Sequence, residues 1–234
     1  TKHILDCAHK GITKNENRSE KELWTELGEG LPLQVRPVPN ERAEAENIIS
    51  YIRRSVDSHQ RTYNHFAVLY RTNAQSRSLE ETFLRYQIPY RIVGGVRFYD
   101  RKEIKDIIAY VRLIYQADDR ISFERIVNVP TRGIGPKSLE TFYRWQIEKT
   151  FSLASALTRS LDCPGLTPKA QKGLSELANL LEHFRQISEE TTPAALLDSL
   201  IRRLDYLNYL DDGTIQAETR QENVKELLTV AKEY

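Results

Sequence analysis

Apolar and polar positions follow different patterns in the two halves of the chain. In the first half, apolar residues spaced three or four apart predict a helix over 41–56, and the continuous apolar run Phe66–Tyr70 follows it. A run of that length suits a strand buried on both faces, as in a parallel sheet covered by helices. A helix through Leu79 and Phe83 and a strand over Tyr90–Val93 complete the alternation. This part of the chain is therefore predicted to be doubly wound α/β, built on a parallel sheet.

The first forty residues are less regular. Residues 2–9 have apolar positions at helical spacing and predict a short amphipathic helix. Residues 11–30 are polar and charged, which predicts an irregular surface connection. Leu31–Val38 alternates apolar and polar residues with prolines at its edges, so it is predicted to be a short strand away from the sheet centre. Asn40 is predicted to cap the helix that follows.

From residue 100 onward the pattern is helical. Asp100 and Glu103 match a D-x-x-E capping box, which predicts the start of a helix running through Ile114. A second helix is predicted to begin at Asp118-Asp119 and to stop before Pro130. Further helices are predicted over 138–147, 152–160, 168–188, 194–204 and 215–233. The predicted fold class is α/β followed by all-α, with one domain over 1–112 and a second over 113–234.

Charge changes this picture only locally. The chain has 234 residues, 40% of them hydrophobic, and a formal net charge of +1. This length allows two domains with cores of their own, and the total charge implies no general attraction to nucleic acid or membranes. Residues 51–112, however, carry 12 Lys and Arg against 6 Asp and Glu, whereas 182–234 carry 6 against 11. The middle of the chain is basic and its end is acidic.

Catalytic and metal-binding residues are not predicted anywhere. Cys7 and Cys163 are far apart, and the five histidines form no pair at ligand spacing, so neither a zinc site nor a nucleophile with its base is indicated. No apolar run is long enough to cross a membrane, and no signal peptide is recognisable, so a cytoplasmic location and no membrane partner are expected. The absence of Met favours a fragment or a processed chain.

The first candidate site is a glycine turn between two predicted helices, in VNVPTRGIGPKSLETF. Gly133 and Gly135 allow backbone N–H groups to approach a ligand, and the following helix adds positive charge at its N-terminus. Arg132 and Lys137 flank the turn. A helix-hairpin-helix element of this kind binds phosphates without reading bases. The alternative is an ordinary corner between helices, in which the glycines only end a helix.

The second candidate is the segment GGVRFYDR, which follows a predicted strand. Gly94 and Gly95 free the backbone for close approach, and Arg97, Phe98 and Tyr99 offer one guanidinium and two rings. Charge combined with stacking is how proteins hold single-stranded nucleic acid. The alternative is that both aromatic residues belong to the core and that the glycines only turn the chain. Arg97 is harder to explain as a core residue.

A third polar segment, YRTNAQSR, follows Phe66–Tyr70, where α/β sheets place ligand contacts. Structural roles are equally compatible with it, because Asn73 can cap a helix and Arg77 can pair with Glu80 or Glu81. The chain contains no GxxxxGK[ST] phosphate loop and no paired acidic motif for magnesium, which argues against a self-sufficient nucleotide hydrolase.

Three strings carry a resemblance to a known family: AVLYRTNAQSR at 67–77, IPYRIVGGVRFYDRKEIKDIIAYVRLI at 88–114 and IVNVPTRGIG at 126–135. In wording and order they resemble the UvrD/PcrA/Rep family of superfamily 1 DNA helicases. The resemblance covers nearly the whole chain and is weaker in the later helices, where ETRQENVKELL at 218–228 still resembles the family.

The resemblance implies that residues 1–112 are the first part of a second RecA-like motor domain, whose sheet is completed by segments outside this chain. Residues 113–234 would be the helical subdomain inserted into that domain. It implies an ATP-dependent 3′-to-5′ helicase of DNA repair and replication, with ATP and Mg²⁺ used by the full-length enzyme and none bound here. The implied partners are DNA at a single-strand/duplex junction and the remaining segments of the helicase. The implied DNA contacts are Gly94, Gly95, Arg97, Phe98, Thr131, Arg132, Gly133, Ile134, Gly135, Lys137 and Ser138.

Two other functions remain open at this point. One is a non-enzymatic helix-hairpin-helix module of a repair protein, which would be favoured if Phe66–Tyr70 lay outside any sheet. The other is a protein-interaction scaffold that uses the acidic helices of 182–234. A lack of salt-sensitive DNA binding would favour the scaffold.

Overall fold

The computed structural model describes residues 1–15 and 23–233, which form two compact units, Thr1–Glu44 and Ala45–Tyr234. Within the described residues the chain forms eleven α-helices, four short 3₁₀ helices and no β-strand. The α-helices are α1 Lys2–Ile12, α2 Glu41–Asp57, α3 Ser76–Arg85, α4 Lys102–Tyr115, α5 Arg120–Ile126, α6 Pro136–Glu148, α7 Leu153–Thr158, α8 Pro168–Ile187, α9 Pro193–Arg203, α10 Tyr206–Leu210 and α11 Ile215–Ala231. The 3₁₀ helices are Tyr63–His65, Asn73–Gln75, Phe98–Asp100 and Ser160–Asp162.

In the first unit, the predicted amphipathic helix is confirmed as α1. Its first N–H groups, those of Lys2 and His3, donate to the carbonyls of Gly28 and Glu29 at 3.3 Å each. The predicted strand over Leu31–Val38 is wrong, because these residues form neither strand nor helix and Val35 is 93% exposed. The predicted connection over 11–30 includes residues 16–22, which lie outside the described residues.

The predicted parallel sheet is also wrong, and the α/β part of the fold class is wrong with it. Phe66–Tyr70 and Tyr90–Val93 form neither helix nor strand, and no ladder of backbone hydrogen bonds joins them in the described part of the chain. Phe66 and Val68 turn toward a small hydrophobic cluster, while Leu69 between them is 95% exposed. A run of apolar residues indicates only that the segment tends to be buried. A β-strand also requires a second strand whose backbone groups pair with its own.

The helices of this region were predicted correctly. Helix α2 begins one residue after Asn40, whose side-chain oxygen accepts from the N–H of Ala43 at 2.8 Å, as the predicted cap requires. Helices α2 and α3 share a cluster made of Ile49, Ile52, Phe83 and Ile88. This cluster is separate from the main core.

The main core lies among the helices from α4 onward, and the helical prediction for this half is confirmed in the described residues. Helix α4 packs against α5, α8 and α11 and supplies fully buried side chains such as Ile107 and Leu113. One cluster extends from Phe98 to Leu227. Its continuity makes the chain from Phe98 onward a single packed body. None of the helices in residues 1–15 and 23–233 is long and apolar enough to cross a membrane.

The predicted capping box at the start of α4 is wrong. Residue Arg101 takes the cap position, without a side-chain hydrogen bond to the helix. Asp100 instead forms an ion pair with Lys105 at 2.7 Å, and buried Glu103 accepts from the amide of Asn223 in α11 at 2.7 Å. Burial of Phe98 explains the difference, since it places Asp100 in a 3₁₀ turn ahead of the helix. The predicted domain boundary between residues 112 and 113 falls inside α4 and stays a prediction.

Candidate nucleic-acid interface

The glycine turn lies between the end of α5 and the start of α6. Gly133 has φ +75°, a conformation that glycine adopts without strain, and Gly135 occupies the cap position of α6. The side-chain oxygen of Asn128 accepts from the N–H groups of Arg132 at 2.7 Å and Ile134 at 3.3 Å. Ile134 is 4% exposed and belongs to the main core. The turn is therefore fixed by hydrogen bonds to the Asn128 side chain and by burial of the Ile134 side chain in the core.

Arg132 points into the protein. Its Nη1 donates to the carbonyl of Ile126 at 2.9 Å and lies 3.3 Å from the carbonyl oxygens of Val127, Val129 and Pro130. Its Nη2 donates to the hydroxyl of Tyr110. That hydroxyl donates in turn to the carbonyl of Val129 at 2.6 Å. The guanidinium that the sequence offered as a DNA contact thus joins α4 to the turn.

The same contacts act on Tyr110, whose side chain is fully buried. Burial raises the pKa of Tyr110 to about 12, although the neighbouring Arg132 charge lowers it. The hydroxyl is neutral at physiological pH, as an ordinary tyrosine is, and it accepts from Arg132 while it donates to Val129. Sequence analysis missed both Tyr110 and Asn128, because a helical apolar pattern explains the tyrosine and no motif marks the asparagine.

The N-terminus of α6 has no side-chain cap. Six other helices, α2, α5, α7, α8, α9 and α11, are each capped by a side chain, those of Asn40, Asp119, Ser152, Thr167, Thr192 and Thr214. At α6 the cap residue is Gly135, and the N–H groups of Gly135, Lys137 and Ser138 have no acceptor in the described part of the chain. Free N–H groups and the helix dipole together favour an anion at this end, and Lys137 is exposed beside it.

The second candidate segment is less fixed. Gly94 has φ +77° and no atom within 4 Å of where a Cβ would lie, and Arg97 is exposed with its guanidinium 5.7 Å from the centroid of the Tyr90 ring. Phe98 is fully buried in the main core, and its N–H donates to the carboxylate of Glu80 at 3.2 Å. The structure thus gives Phe98 the core position that was the alternative reading. Its ring is not available for stacking on a base.

The third segment has structural roles in the described residues. The side-chain oxygen of Gln75 accepts from the N–H groups of Arg71 at 2.9 Å and Thr72 at 3.1 Å. Arg77 is 3% exposed and pairs with Glu81 at 3.0 Å, as the sequence suggested, and also with Glu226 of α11 at 2.7 Å. The last contact spans 149 positions of sequence and was not predictable from spacing.

The described residues define an all-helical protein in which a glycine turn joins α5 to α6. The family follows from the sequence comparison. The model of the family described as the UvrD-like helicase C-terminal domain matches residues 1–234, so the chain belongs to that family. The resemblance stated from the three strings is confirmed.

Similar proteins with established names are helicases, which is consistent with the family match. Proteins named ATP-dependent DNA helicase PcrA are 39% identical over 235 residues in Bacillus subtilis strain 168, 39% over 238 residues in Staphylococcus epidermidis and 38% over 238 residues in Staphylococcus aureus. In each case the match covers 100% of this chain and 32% of the relative. The chain therefore spans about a third of the length of these relatives.

Proposed function

We propose that this chain is part of an ATP-dependent DNA helicase and that it holds DNA on both sides of the junction between single strand and duplex. The family and the names of the relatives support the helicase activity. The observation that carries the DNA contact is the uncapped N-terminus of α6 behind a glycine turn. In this proposal the complete protein translocates 3′ to 5′ in repair and replication, in the cytoplasm.

The duplex is held by the turn. The N–H groups of Gly135, Lys137 and Ser138 receive phosphate oxygens, Lys137 adds a charge, and Thr131, which is exposed, adds a hydroxyl. Arg132 and Ile134 act from inside, because their side chains fix the turn that presents these groups. Contacts of this kind are independent of base sequence, which suits a protein that must process any duplex.

The single strand is held by Gly94, Gly95 and Arg97. Exposed backbone at the two glycines allows close approach, and the guanidinium of Arg97 supplies charge next to the ring of Tyr90. Phe98 anchors the segment in the core, and Glu80 holds its N–H. In this proposal the segment contacts the strand mainly through its backbone phosphates.

ATP and Mg²⁺ belong to the complete protein in this proposal. Among the described residues, no three or more His, Cys, Asp or Glu side chains converge into a group that could hold a metal ion. No step of hydrolysis is assigned to the described residues. The remaining segments of the helicase are the proposed partners of Phe66–Tyr70 and Tyr90–Val93.

A non-enzymatic helix-hairpin-helix module is the second candidate. The position of Phe66–Tyr70 outside any sheet favours it by the criterion given above. The family match over residues 1–234 favours the helicase. Strand separation that requires ATP distinguishes the two, because a binding module would hold duplex equally well with and without nucleotide.

The duplex contact is tested by Gly135→Val. Gly135 has φ −90° and no atom within 4 Å of its Cβ position, so valine fits the fold while its methyl groups cover the free N–H groups. We expect about tenfold weaker binding of blunt duplex, measured by fluorescence anisotropy, because at least one charge-assisted hydrogen bond is lost. Single-strand binding should be unchanged.

The matched control is Gly28→Val, which also has no atom within 4 Å of its Cβ position and lies in the other unit. Unchanged duplex binding by Gly135→Val would refute the assignment of the turn.

The single-strand contact is tested by Arg97→Ala. We expect this variant to bind single-stranded DNA more weakly and to bind blunt duplex DNA as the unchanged protein does.

A further inference from the structure

Helix α8 lies directly against the glycine turn. A Cβ built on Gly133 would lie 2.5 Å from Cε and 2.7 Å from Cδ of Lys169, so the lysine side chain runs along the open face of that glycine. One turn later, a Cβ on Gly173 would lie 2.7 Å from the carbonyl oxygen of Arg132. Glycine at both positions is what allows α8 and the turn to approach so closely. The aliphatic part of the Lys169 side chain, as far as Cε, consequently lies beside the turn.

Lys169 is exposed, and no ion pair joins its ammonium to a carboxylate in the described ranges of the chain. Lys172, three residues further along α8, differs in this respect because its Nζ lies 3.8 Å from the carboxylate of Glu176. Two neighbouring lysines of one helix therefore differ in whether their charge is already compensated by the protein.

We propose that Lys169 of α8 is a further phosphate contact of the duplex site, acting together with the N–H groups at the start of α6 and with Lys137. The inference rests on the proposed duplex contact by the turn. It extends the site from the turn to a second helix, and it gives Gly133 a second role beyond its backbone conformation. The ligand is a backbone phosphate of double-stranded nucleic acid, recognised by charge and without reference to base.

The test compares Lys169→Gln with Lys172→Gln in titrations of the purified protein with blunt duplex DNA at several salt concentrations. For Lys169→Gln we expect about 3- to 10-fold weaker binding at low salt and a fall of about one in the slope of log K against log salt concentration, since one phosphate contact is lost. Lys169→Arg should restore the slope. Lys172→Gln should leave both quantities unchanged, and single-strand binding should be the same in all variants.

The outcomes separate this proposal from the one on which it rests. An unchanged slope for Lys169→Gln, together with weaker duplex binding by Gly135→Val, overturns the role of Lys169 alone. Equal losses in Lys169→Gln and Lys172→Gln overturn it as well, because they indicate general attraction by surface charge. Full duplex binding by Gly135→Val would instead refute the duplex contact of the turn.

Discussion

Two regions of the second unit differ in how they are held together. The helical region, residues 98–233, has one continuous hydrophobic cluster that reaches from Phe98 to Leu227. The preceding region, residues 45–97, contains most of α2, all of α3 and the segments between them, and it has a cluster of four buried hydrophobic residues in the described structure, Ile49, Ile52, Phe83 and Ile88. The apolar side chains of the helical region are buried in one shared core. In the preceding region, some apolar side chains, such as that of Leu69, stay exposed.

The same difference separates the two proposed DNA contacts. The turn at Gly133 is fixed by Asn128, Arg132 and Ile134, so little ordering is required when a phosphate binds. The segment from Gly94 to Arg97 is held at its end by Phe98, and the carbonyl of Val96 accepts from Arg101 at 3.3 Å. We infer that the duplex contact is preorganised and that the single-strand contact orders more on binding.

The largest predicted effect tests the contrast between the two regions. Leu113→Ala, in the helical region, removes a fully buried side chain and should lower the free energy of unfolding by about 2–5 kcal/mol. Leu69→Ala, in the preceding region, removes a side chain that is 95% exposed and should change the free energy of unfolding by less than about 0.5 kcal/mol. Urea unfolding followed by circular dichroism measures both.

A large loss of unfolding free energy in Leu69→Ala would contradict the contrast between the two regions. It would mean that Leu69 is buried in solution, for example because residues 66–70 pair between copies of the chain. Protein concentration provides the control, since a contact between copies would make the loss depend on concentration.

A smaller effect tests the two arginines. Arg132→Met should lower the free energy of unfolding by about 2–3 kcal/mol, because it deprives the Tyr110 hydroxyl and the Ile126 carbonyl of a donor inside the protein. Arg97→Met should change it by less than about 0.5 kcal/mol, because its side chain is exposed. Thermal or urea unfolding measures the free energy of unfolding of both variants. Equal losses would contradict the conclusion that the Arg132 side chain points into the protein and fixes the turn.

The sequence predicted much of the helical region. Apolar spacing located α6, α8, α9 and α11 to within a few residues, and Asp119 was placed correctly at the start of α5. Periodicity succeeds here because each helix buries one face in a shared core. The glycine turn was also found, since glycine has few other reasons to occur twice in three residues between helices.

The sequence could not predict the rest for a physical reason. Phe66–Tyr70 has the composition of a buried strand, yet strand formation depends on a neighbour that local sequence does not specify. Arg132 and Lys137 are equivalent in sequence as cations beside the turn, and tertiary contacts alone decide that one points inward and the other is exposed. Glu226 as a partner of Arg77 likewise depends on packing between distant helices.

The smallest effect concerns Tyr110. Tyr110→Phe keeps the ring but removes the hydroxyl that donates to the carbonyl of Val129 and accepts from Arg132. We expect a loss of about 1–2 kcal/mol in the free energy of unfolding at neutral pH. Duplex binding should weaken with an unchanged salt slope, since no phosphate contact is removed and only the position of the turn is altered. A reduced slope would show that the turn itself had lost a phosphate contact.

The pH dependence of the free energy of unfolding of Tyr110→Phe tests whether the buried hydroxyl causes the loss of stability. Burial raises the pKa of Tyr110 to about 12 in the folded protein, whereas an unfolded tyrosine titrates near 10. Between about pH 10 and pH 12 the unfolded chain loses this proton first, so the free energy of unfolding falls as pH rises. Tyr143 and Tyr206 also have pKa values raised by burial, so the variant should retain part of the decline. A decline identical to that of the original protein would show that the Tyr110 hydroxyl is not held in the buried arrangement that links α4 to the turn.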